Sequence, residues 1–205
     1  NQLPMTEDLI PQPEDPYGVS KYAVELDLAA AHRQFGLDYI IFRPHNVYGE
    51  HQNIGDKYRN VIGIFMNQVL LGKPLTIFGD GKQTRAFSYI DDVAPVIARS
   101  VFEPQAYGEV FNVGGDQPYT INELVRVVCD VMEVPDYEVV HLPSRKEVKH
   151  AFASHDKIKR FFELPAPTPL RQGIMRMVEW VYQVGSRKTE DFAAIEIPFG
   201  LPEGW

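Results

Sequence analysis

Several features that would assign a protein to a specialised class are scarce in these 205 residues. A single cysteine, Cys129, excludes an internal disulfide and a cysteine-based zinc cluster, and it fits a reducing compartment, so we expect a cytoplasmic protein. No apolar run approaches the roughly 18 residues that a membrane-spanning helix needs. The histidines show no metal-ligand spacing, so no metal site is predicted. The net charge of -8 argues against a nucleic-acid-binding protein, which needs a basic face.

Helical and strand patterns alternate along the chain. Apolar residues at three- and four-residue steps predict a helix from Tyr17 to about Phe35, which Gly36 ends. Further strands are predicted at 38–43, 74–78, 85–90, 109–114 and 137–142, and further helices at 61–71, 91–101, 120–134, 155–162 and 169–184. Asp91, Thr120 and Thr168 are the expected N-caps of three of these helices. This order predicts an α/β fold with a largely parallel sheet.

Two short motifs carry the chemistry. The first, Tyr17-Gly-Val-Ser-Lys21, places a phenol and an ammonium one helical turn apart on the same face. An ammonium favours the phenolate form of a nearby tyrosine, and such a pair is typical of a proton-handling centre of the oxidoreductase type. The second, Arg43-Pro-His-Asn-Val-Tyr-Gly49, ends an apolar strand in polar and small residues, where open α/β sheets bind ligands. A Tyr-x-x-x-Lys spacing alone often occurs by chance, as an aromatic residue and its solvated neighbour.

With its neighbours in order, the sequence resembles the extended short-chain dehydrogenase/reductase superfamily, specifically the NAD-dependent nucleotide-sugar epimerase/dehydratase branch. The resembling segments are PYGVSK at 16–21, RPHNVYG at 43–49, GKPLTIFGDGKQTR at 72–85, YIDDVA at 89–94 and FNVGG at 111–115. The match covers about residues 5 to 180. Its ordered series of motifs is specific, because chance would not place all five in sequence.

The resemblance implies roles for individual residues. Tyr17 would move a proton on a sugar hydroxyl while hydride passes to or from the nicotinamide of NAD, and Lys21 would hold the nicotinamide ribose. Arg43 and Pro44 would lie along the nicotinamide. The residues that the resemblance assigns to the nucleotide sugar are Asn46, Asn60, Val61, Thr76, Phe78, Arg85, Asn112 and Arg145.

Within that set the resemblance is more specific. Asn46 would reach the substrate, residues 76–78 would border the base, and residues 60 and 61 would contact the ligand through a side chain and the backbone. Arg85 and Arg145 would pair with the diphosphate, because a guanidinium fork suits phosphate oxygens.

Each of these polar residues also has an ordinary structural interpretation. Arg43 and Arg85 could form surface ion pairs, which contribute little to stability. Asn46 could cap a strand, and Asn112 could satisfy a tight turn.

Some parts of the family pattern are not found in this sequence. They are the glycine-rich turn that approaches the NAD pyrophosphate, the acid that binds the adenosine ribose, and the serine or threonine that shares the proton relay. Ser154 stands where the family more often has aspartate. Because the first residue is Asn1 and only sixteen residues precede Tyr17, we expect the C-terminal portion of such an enzyme. We expect it to be inactive as an isolated chain and to retain little of the NAD-binding surface.

The resemblance also implies how the chain is divided. A remnant of the Rossmann-type sheet would span about residues 17–49 and 85–115. A small substrate-binding lobe would span about residues 50–84 and 116–185, and an irregular tail would follow at 186–205. We expect these parts to form a single structural unit.

The predicted function is the substrate-binding portion of a UDP-glucose 4-epimerase-like enzyme, with a UDP-sugar as the expected ligand. Two alternatives remain: a fragment of a nucleotide-sugar 4,6-dehydratase or decarboxylase, and a non-catalytic module for nucleotide-sugar binding or assembly. We also expect a homo-oligomer, formed through an exposed sheet edge or through the helix that begins at Tyr17.

Overall fold

A computed structural model describes residues 2–56, 60–145 and 148–188. Its helices are α1 (Pro16–Phe35), α2 (Val61–Leu70), α3 (Ile90–Arg99), α4 (Ile121–Val131), α5 (Asp156–Phe161) and α6 (Leu170–Val184). Its strands are β1 (Ile41–Pro44), β2 (Val47–Tyr48), β3 (Leu75–Phe78), β4 (Thr84–Ala86), β5 (Ser88–Tyr89), β6 (Val110–Val113), β7 (Pro118–Thr120), β8 (Val139–Leu142) and β9 (His150–Ala151). Most of the predicted tail, residues 189–205, lies outside the described residues. None of the helices placed here has the length and apolar character needed to cross a bilayer.

Within the described ranges the strands form small groups, and most of the pairing is parallel. β1 pairs with β6, β2 with β5 and β3 with β8, each in parallel. β4 lies between β7, which is antiparallel to it, and β9, which is parallel. The connections between parallel partners are long and contain helices, as is usual when both strands run in the same direction. The predicted α/β fold with largely parallel strands is therefore confirmed.

Two hydrophobic clusters hold these elements together. The larger packs α2, α4 and α6 around β3, and its Phe65 and Leu124 are fully buried. The smaller packs α3 and α5 against the β1–β6 pair. At its centre, the fully buried ring of Phe111 contacts the rings of Phe42 and Phe162 at centroid distances of 5.8 and 5.4 Å. Burial of such side chains is the main favourable contribution to folding, at about 1.5–3 kcal/mol each.

Local sequence signals set several helix ends. Asp15 caps α1, because its Oδ1 accepts a hydrogen bond of 2.6 Å from the backbone N–H of Gly18. Gly36 ends the helix in the left-handed conformation, at φ 70°, which glycine adopts without strain. The predicted capping box at the start of α4 is confirmed, since Thr120 and Glu123 exchange hydrogen bonds between side chain and backbone.

Three local predictions are wrong. Residues 85–90 form two strands, because the chain leaves the β7–β4–β9 group after β4 and pairs with β2 instead. Helix α3 begins after Tyr89, and Asp91 lies in its first turn. Thr168 does not cap α6. The helix begins at Leu170, so Thr168 lies one position before the cap, and its N–H and hydroxyl both donate to the carboxylate of Asp92, at 2.8 and 2.9 Å.

Candidate functional site

A cavity of about 520 Å³ opens between α2, β3 and the turn that follows β3. Its lining includes seven of the eight residues that the sequence assigns to the substrate: Asn46, Asn60, Val61, Thr76, Phe78, Arg85 and Arg145. They come from the end of β1, the start of α2, β3, β4 and the loop after β8. The fold therefore brings most of the predicted substrate residues to one place.

Strand alternation explains how β3 contributes to this cavity. Successive side chains of a strand point to opposite faces. Leu75 and Ile77 are buried in the larger cluster, and Ile77 also borders the cavity from that side, whereas Thr76 and Phe78 are half-buried and line the cavity. The pattern Leu-Thr-Ile-Phe thus anchors the strand on one face and exposes it to a ligand on the other.

Two amide side chains of α2 have roles that were missed in the sequence analysis. Gln68 lines the cavity and holds Thr76, since its Nε2 donates to Thr76 Oγ1 at 2.9 Å and its Oε1 accepts from the Thr76 N–H at 3.2 Å. Asn67 binds the backbone N–H and C=O of Arg187, both at 2.9 Å, and so fixes the segment after α6 beside the cavity. The only sequence signal for them is two consecutive amides in an otherwise apolar helix.

Cationic side chains outnumber acidic ones among the described residues that line the cavity. Lys73, Arg85 and Arg145 are present, against one carboxylate, that of Asp56. The guanidinium carbon of Arg145 lies 3.5 Å from the ring centroid of Phe78, which is a cation–π contact. One guanidinium nitrogen of Arg85 donates to backbone carbonyls of residues 84 and 149 at 2.8 and 3.2 Å, so β4 and the residue before β9 orient this side chain. The excess of positive charge favours an anionic ligand.

Two asparagines at the cavity have left-handed backbone conformations, with φ 45° at Asn46 and 63° at Asn60. Asparagine tolerates this conformation better than most residues, and it often marks functional sites. Asn46 is held in place by two contacts: its Nδ2 donates to Ala86 O at 2.8 Å, and its C=O accepts from the Ser88 N–H at 3.2 Å. Asn60 is the N-cap residue of α2, but its side chain accepts no capping hydrogen bond from the helix, which leaves this side chain at the cavity.

Tyr17 and Lys21 lie together but outside this cavity. The ammonium of Lys21 is 5.3 Å from the ring centroid of Tyr17, so the predicted pairing on α1 is present. Tyr17 is 66% exposed, and neither residue is among the described residues that line the cavity. The tyrosine that was predicted to be catalytic therefore faces solvent at the start of α1.

The residues predicted at the nicotinamide, Arg43 and Pro44, form the end of β1, outside the cavity. Arg43 makes a two-pronged ion pair with Glu25 of α1, at 2.8 and 2.7 Å. The hydrogen bonds that Arg43 donates to Glu25 raise the pKa of Arg43, although burial opposes this. This pair ties α1 to β1. Pro44 is exposed at the last position of the strand.

Asn112 also lies outside the cavity. Its Nδ2 donates to the carbonyls of Met5 and Ser154 at 3.1 and 3.4 Å, and its backbone N–H donates to Glu7 Oε1 at 2.8 Å. The buried Asn112 side chain therefore joins the N-terminal segment and the start of α5 to β6. In the described ranges, histidine, cysteine and acidic side chains nowhere gather in a group of three that could hold a metal ion.

Comparison with known proteins places these features in a family. Residues 1–114 match the NAD dependent epimerase/dehydratase family. Among solved structures, UDP-N-acetylglucosamine 4-epimerase from Methanobrevibacter ruminantium M1, in complex with UDP-N-acetylmuramic acid, is similar to this chain with a TM-score of 0.82 and 31% identity, over 89% of this chain and 58% of that one.

Two curated relatives have different activities. UDP-glucose 4-epimerase of Mycolicibacterium smegmatis is 29% identical over 86% of this chain and 56% of its own length. dTDP-glucose 4,6-dehydratase of Haemophilus influenzae is 33% identical over 59% of this chain and 34% of its own length. The chain spans little more than half the length of the epimerases it matches. Because the family match covers more than half of the chain and the fold agrees, the chain belongs to the NAD dependent epimerase/dehydratase family.

Proposed function

We propose that this chain supplies the nucleotide-sugar-binding portion of a UDP-glucose 4-epimerase-like enzyme. The cavity carries the proposal, because Arg85 and Arg145 lie in it together with the ring of Phe78. A nucleotide sugar combines a diphosphate, which guanidinium groups bind, with a flat base, which an aromatic ring can stack on. The solved epimerase named above contains a UDP-sugar, which supports the same class of ligand.

We also propose that the lobe formed by residues 50–84 and 116–185 binds this ligand. Most of the lining lies between Ile54 and Gln83, and Ile121 and Arg145 come from the second stretch. The elements of this lobe share the larger hydrophobic cluster, so a rigid core supports the cavity.

The described residues fit only one end of NAD. Tyr17 and Lys21 present a phenol and an ammonium on the open first turns of α1, which suits a nicotinamide ribose. Arg43 is already paired with both carboxylate oxygens of Glu25, and no helix of the described ranges begins at a glycine-rich turn that could bind a pyrophosphate. We therefore propose that these 205 residues alone bind NAD weakly.

In the complete reaction, Lys21 would hold the nicotinamide ribose of NAD, which would supply hydride transfer at the sugar. The contribution of this chain would be to position the sugar and to handle its proton. Tyr17 would take the hydroxyl proton, and the ammonium of Lys21, 5.3 Å from the ring centroid of Tyr17, would hold the nicotinamide ribose beside it. Arg85 and Arg145 would hold the diphosphate while the sugar reacts.

Two other functions remain as alternatives. A fragment of a 4,6-dehydratase or decarboxylase would use the same cavity, and the dehydratase relative favours this possibility. A non-catalytic binding or assembly module is favoured by the position of Tyr17, which is exposed and outside the described lining of the cavity.

Calorimetry tests the proposal directly. We expect the 205-residue chain to bind UDP and UDP-glucose saturably, because the diphosphate meets the cavity arginines, and not to bind glucose at the same concentrations. With NAD added, we expect no conversion of UDP-glucose. If UDP does not bind at millimolar concentration, the proposed binding site is refuted. If this chain alone converts UDP-glucose, the proposal that turnover needs further NAD-binding residues is refuted.

We further propose that the chain self-associates through α1. No residue of α1 is buried, and its Val19, Val24 and Leu26 are each more than 50% exposed. Exposed apolar surface of this extent on one helix favours association, because burial removes it from water.

Sedimentation at increasing protein concentration is expected to show a dimer that Leu26→Glu weakens at least tenfold. Val101→Glu is the matched control, since Val101 is 59% exposed after α3 and should leave the association unchanged. A monomer at every concentration, or equal effects of the two substitutions, would exclude this interface.

A further inference from the structure

Two histidines from distant parts of the chain stack on one another at the end of β1. The ring centroids of His45 and His155 are 5.0 Å apart, and the ring planes differ by 22°. His155 is 2% exposed. The Nε2 atoms of both rings are buried and have no hydrogen-bond partner. Such atoms are uncommon in folded proteins because their desolvation is not compensated, so this pair calls for an explanation.

The ring of His155 is fixed by Asp116, which follows β6. The Oδ1 of Asp116 is 2.5 Å from His155 Nδ1, and its Oδ2 accepts from the ammonium of Lys159 on α5 at 2.6 Å. An ionised carboxylate only accepts hydrogen bonds, so Nδ1 carries the hydrogen, and in the neutral ring Nε2 carries a lone pair. Among the described residues, Asp116 and Lys159 are charged groups beside the pair, and the carboxylate of Asp116 acts to raise the pKa of His45 against the larger effect of burial. β5 and the turn after β6 contribute the uncharged Ser88 and Gly114.

A second set of contacts, made by Ser88, sets the position of Asn46. Ser88 Oγ donates to His45 O at 2.9 Å and accepts from the Gly115 N–H at 3.0 Å, while the Ser88 N–H binds Asn46 O at 3.2 Å. A Cβ on Gly114 would overlap Ser88 Oγ and would lie 3.2 Å from His45 Nε2, so only glycine permits this approach. The His45 ring is therefore enclosed by His155 and Gly114, and the next residue, Asn46, reaches the cavity.

We propose that the stacked rings of His45 and His155 position Asn46 to contact the sugar of the bound ligand. The inference rests on the function proposed above. The stack supports a strand end in an unfavourable left-handed conformation, which needs such support to persist. Loss of the stack frees His45 and, through it, Asn46. The UDP moiety, which the cavity arginines would hold, depends less on this strand end.

Protonation of His45 opposes the same arrangement. Burial, and then the neighbouring His155, lower the pKa of His45 to about 4. The unfolded chain, with an ordinary histidine pKa near 6.5, binds more protons between these two values. Stability from the neutral ring is thus present above about pH 6.5 and is lost as the pH falls toward 4. By this linkage, the folding equilibrium constant falls roughly 20-fold between pH 7 and pH 5 because of His45 alone.

Binding of UDP and of UDP-glucose by three variants tests the positioning role. His45→Ala should weaken UDP-glucose binding about tenfold and UDP binding less than twofold. His45→Phe, which retains a flat ring, should restore most of the UDP-glucose affinity. His32→Ala, on α1, is the control and should change neither. A variant that merely loosens the fold would weaken both ligands equally, which would overturn the proposal.

The outcome for wild-type protein separates this inference from the proposed function. If the wild-type protein binds neither ligand, both the proposed function and the positioning role of His45 fail. If it binds both and His45→Ala leaves their affinity ratio unchanged, only the positioning role fails. If His45→Ala does not fold, urea unfolding of His45→Phe at pH 7 and pH 5 still tests whether the His45 ring is buried in the stack. We expect the folding constant of His45→Phe to fall by a factor roughly 20 times smaller than that of wild type, because phenylalanine does not titrate, and an equal fall would show that His45 is not stacked as a buried neutral ring.

Discussion

Truncation of Phe111 to alanine is expected to lower the free energy of unfolding by about 3–5 kcal/mol. The ring is fully buried in the smaller hydrophobic cluster and contacts Phe161, Phe162 and Phe42 at centroid distances of 5.0, 5.4 and 5.8 Å. Alanine would remove these contacts and leave a cavity that β1, β6 and α5 cannot fill by small shifts. Because this cluster is small, one ring is a large share of its buried area.

Urea unfolding measures this loss. Phe102→Ala is the matched control, since that ring is 81% exposed and its removal should cost less than about 0.5 kcal/mol. If Phe111→Ala does not fold, Phe111→Leu should still fold with a smaller loss, because leucine fills part of the space. A cost below about 1.5 kcal/mol for the alanine variant would show that Phe111 does not organise this core.

Replacement of Arg85 by methionine is expected to weaken UDP binding by about 2–3 kcal/mol, which is roughly 30- to 150-fold. Methionine keeps the length of the side chain and removes the guanidinium that would bind the diphosphate. Arg85→Lys retains the charge without the planar fork, so its loss should be intermediate. The effect should also decrease at high salt, because the interaction is between charges.

Calorimetry with UDP at two salt concentrations measures this effect. Arg33→Met is the control, since Arg33 is exposed on α1, away from the cavity, and should leave the affinity unchanged. Arg85 also binds backbone carbonyls of β4 and of the residue before β9, so the unfolding of Arg85→Met should be measured alongside. A folded variant that binds UDP within threefold of wild type would exclude a diphosphate site at Arg85.

Local signals predicted much of the fold because they act within one element. The capping box of Thr120 and Glu123 starts α4, and Gly36 ends α1, as expected from neighbouring residues alone. The prediction that Thr168 caps α6 was wrong because its side chain binds Asp92, which is distant in the sequence. A local pattern contains no information about such a partner.

The residues of the candidate site also fall into those that the sequence predicted and those that only the tertiary structure identified. The order of motifs identified Asn46, Arg85 and Arg145 from sequence, and the fold brings them to one cavity. Gln68 was missed, because a glutamine in an apolar helix gains meaning only when Thr76 lies beside it. Asn112 was assigned to the ligand, but its hydrogen bonds in the structure join three segments of the chain.

By itself, the sequence determined the α/β class, most helices and strands, and the family. It also determined which residue types are available for binding an anion. These properties follow from periodicity, helix caps and ordered motifs, which are all local. Only the tertiary structure decided which of these residues meet. It placed Tyr17 in solvent, paired Arg43 with Glu25 and stacked His45 on His155. These outcomes depend on contacts between residues far apart in the chain, and packing rather than local preference determines them.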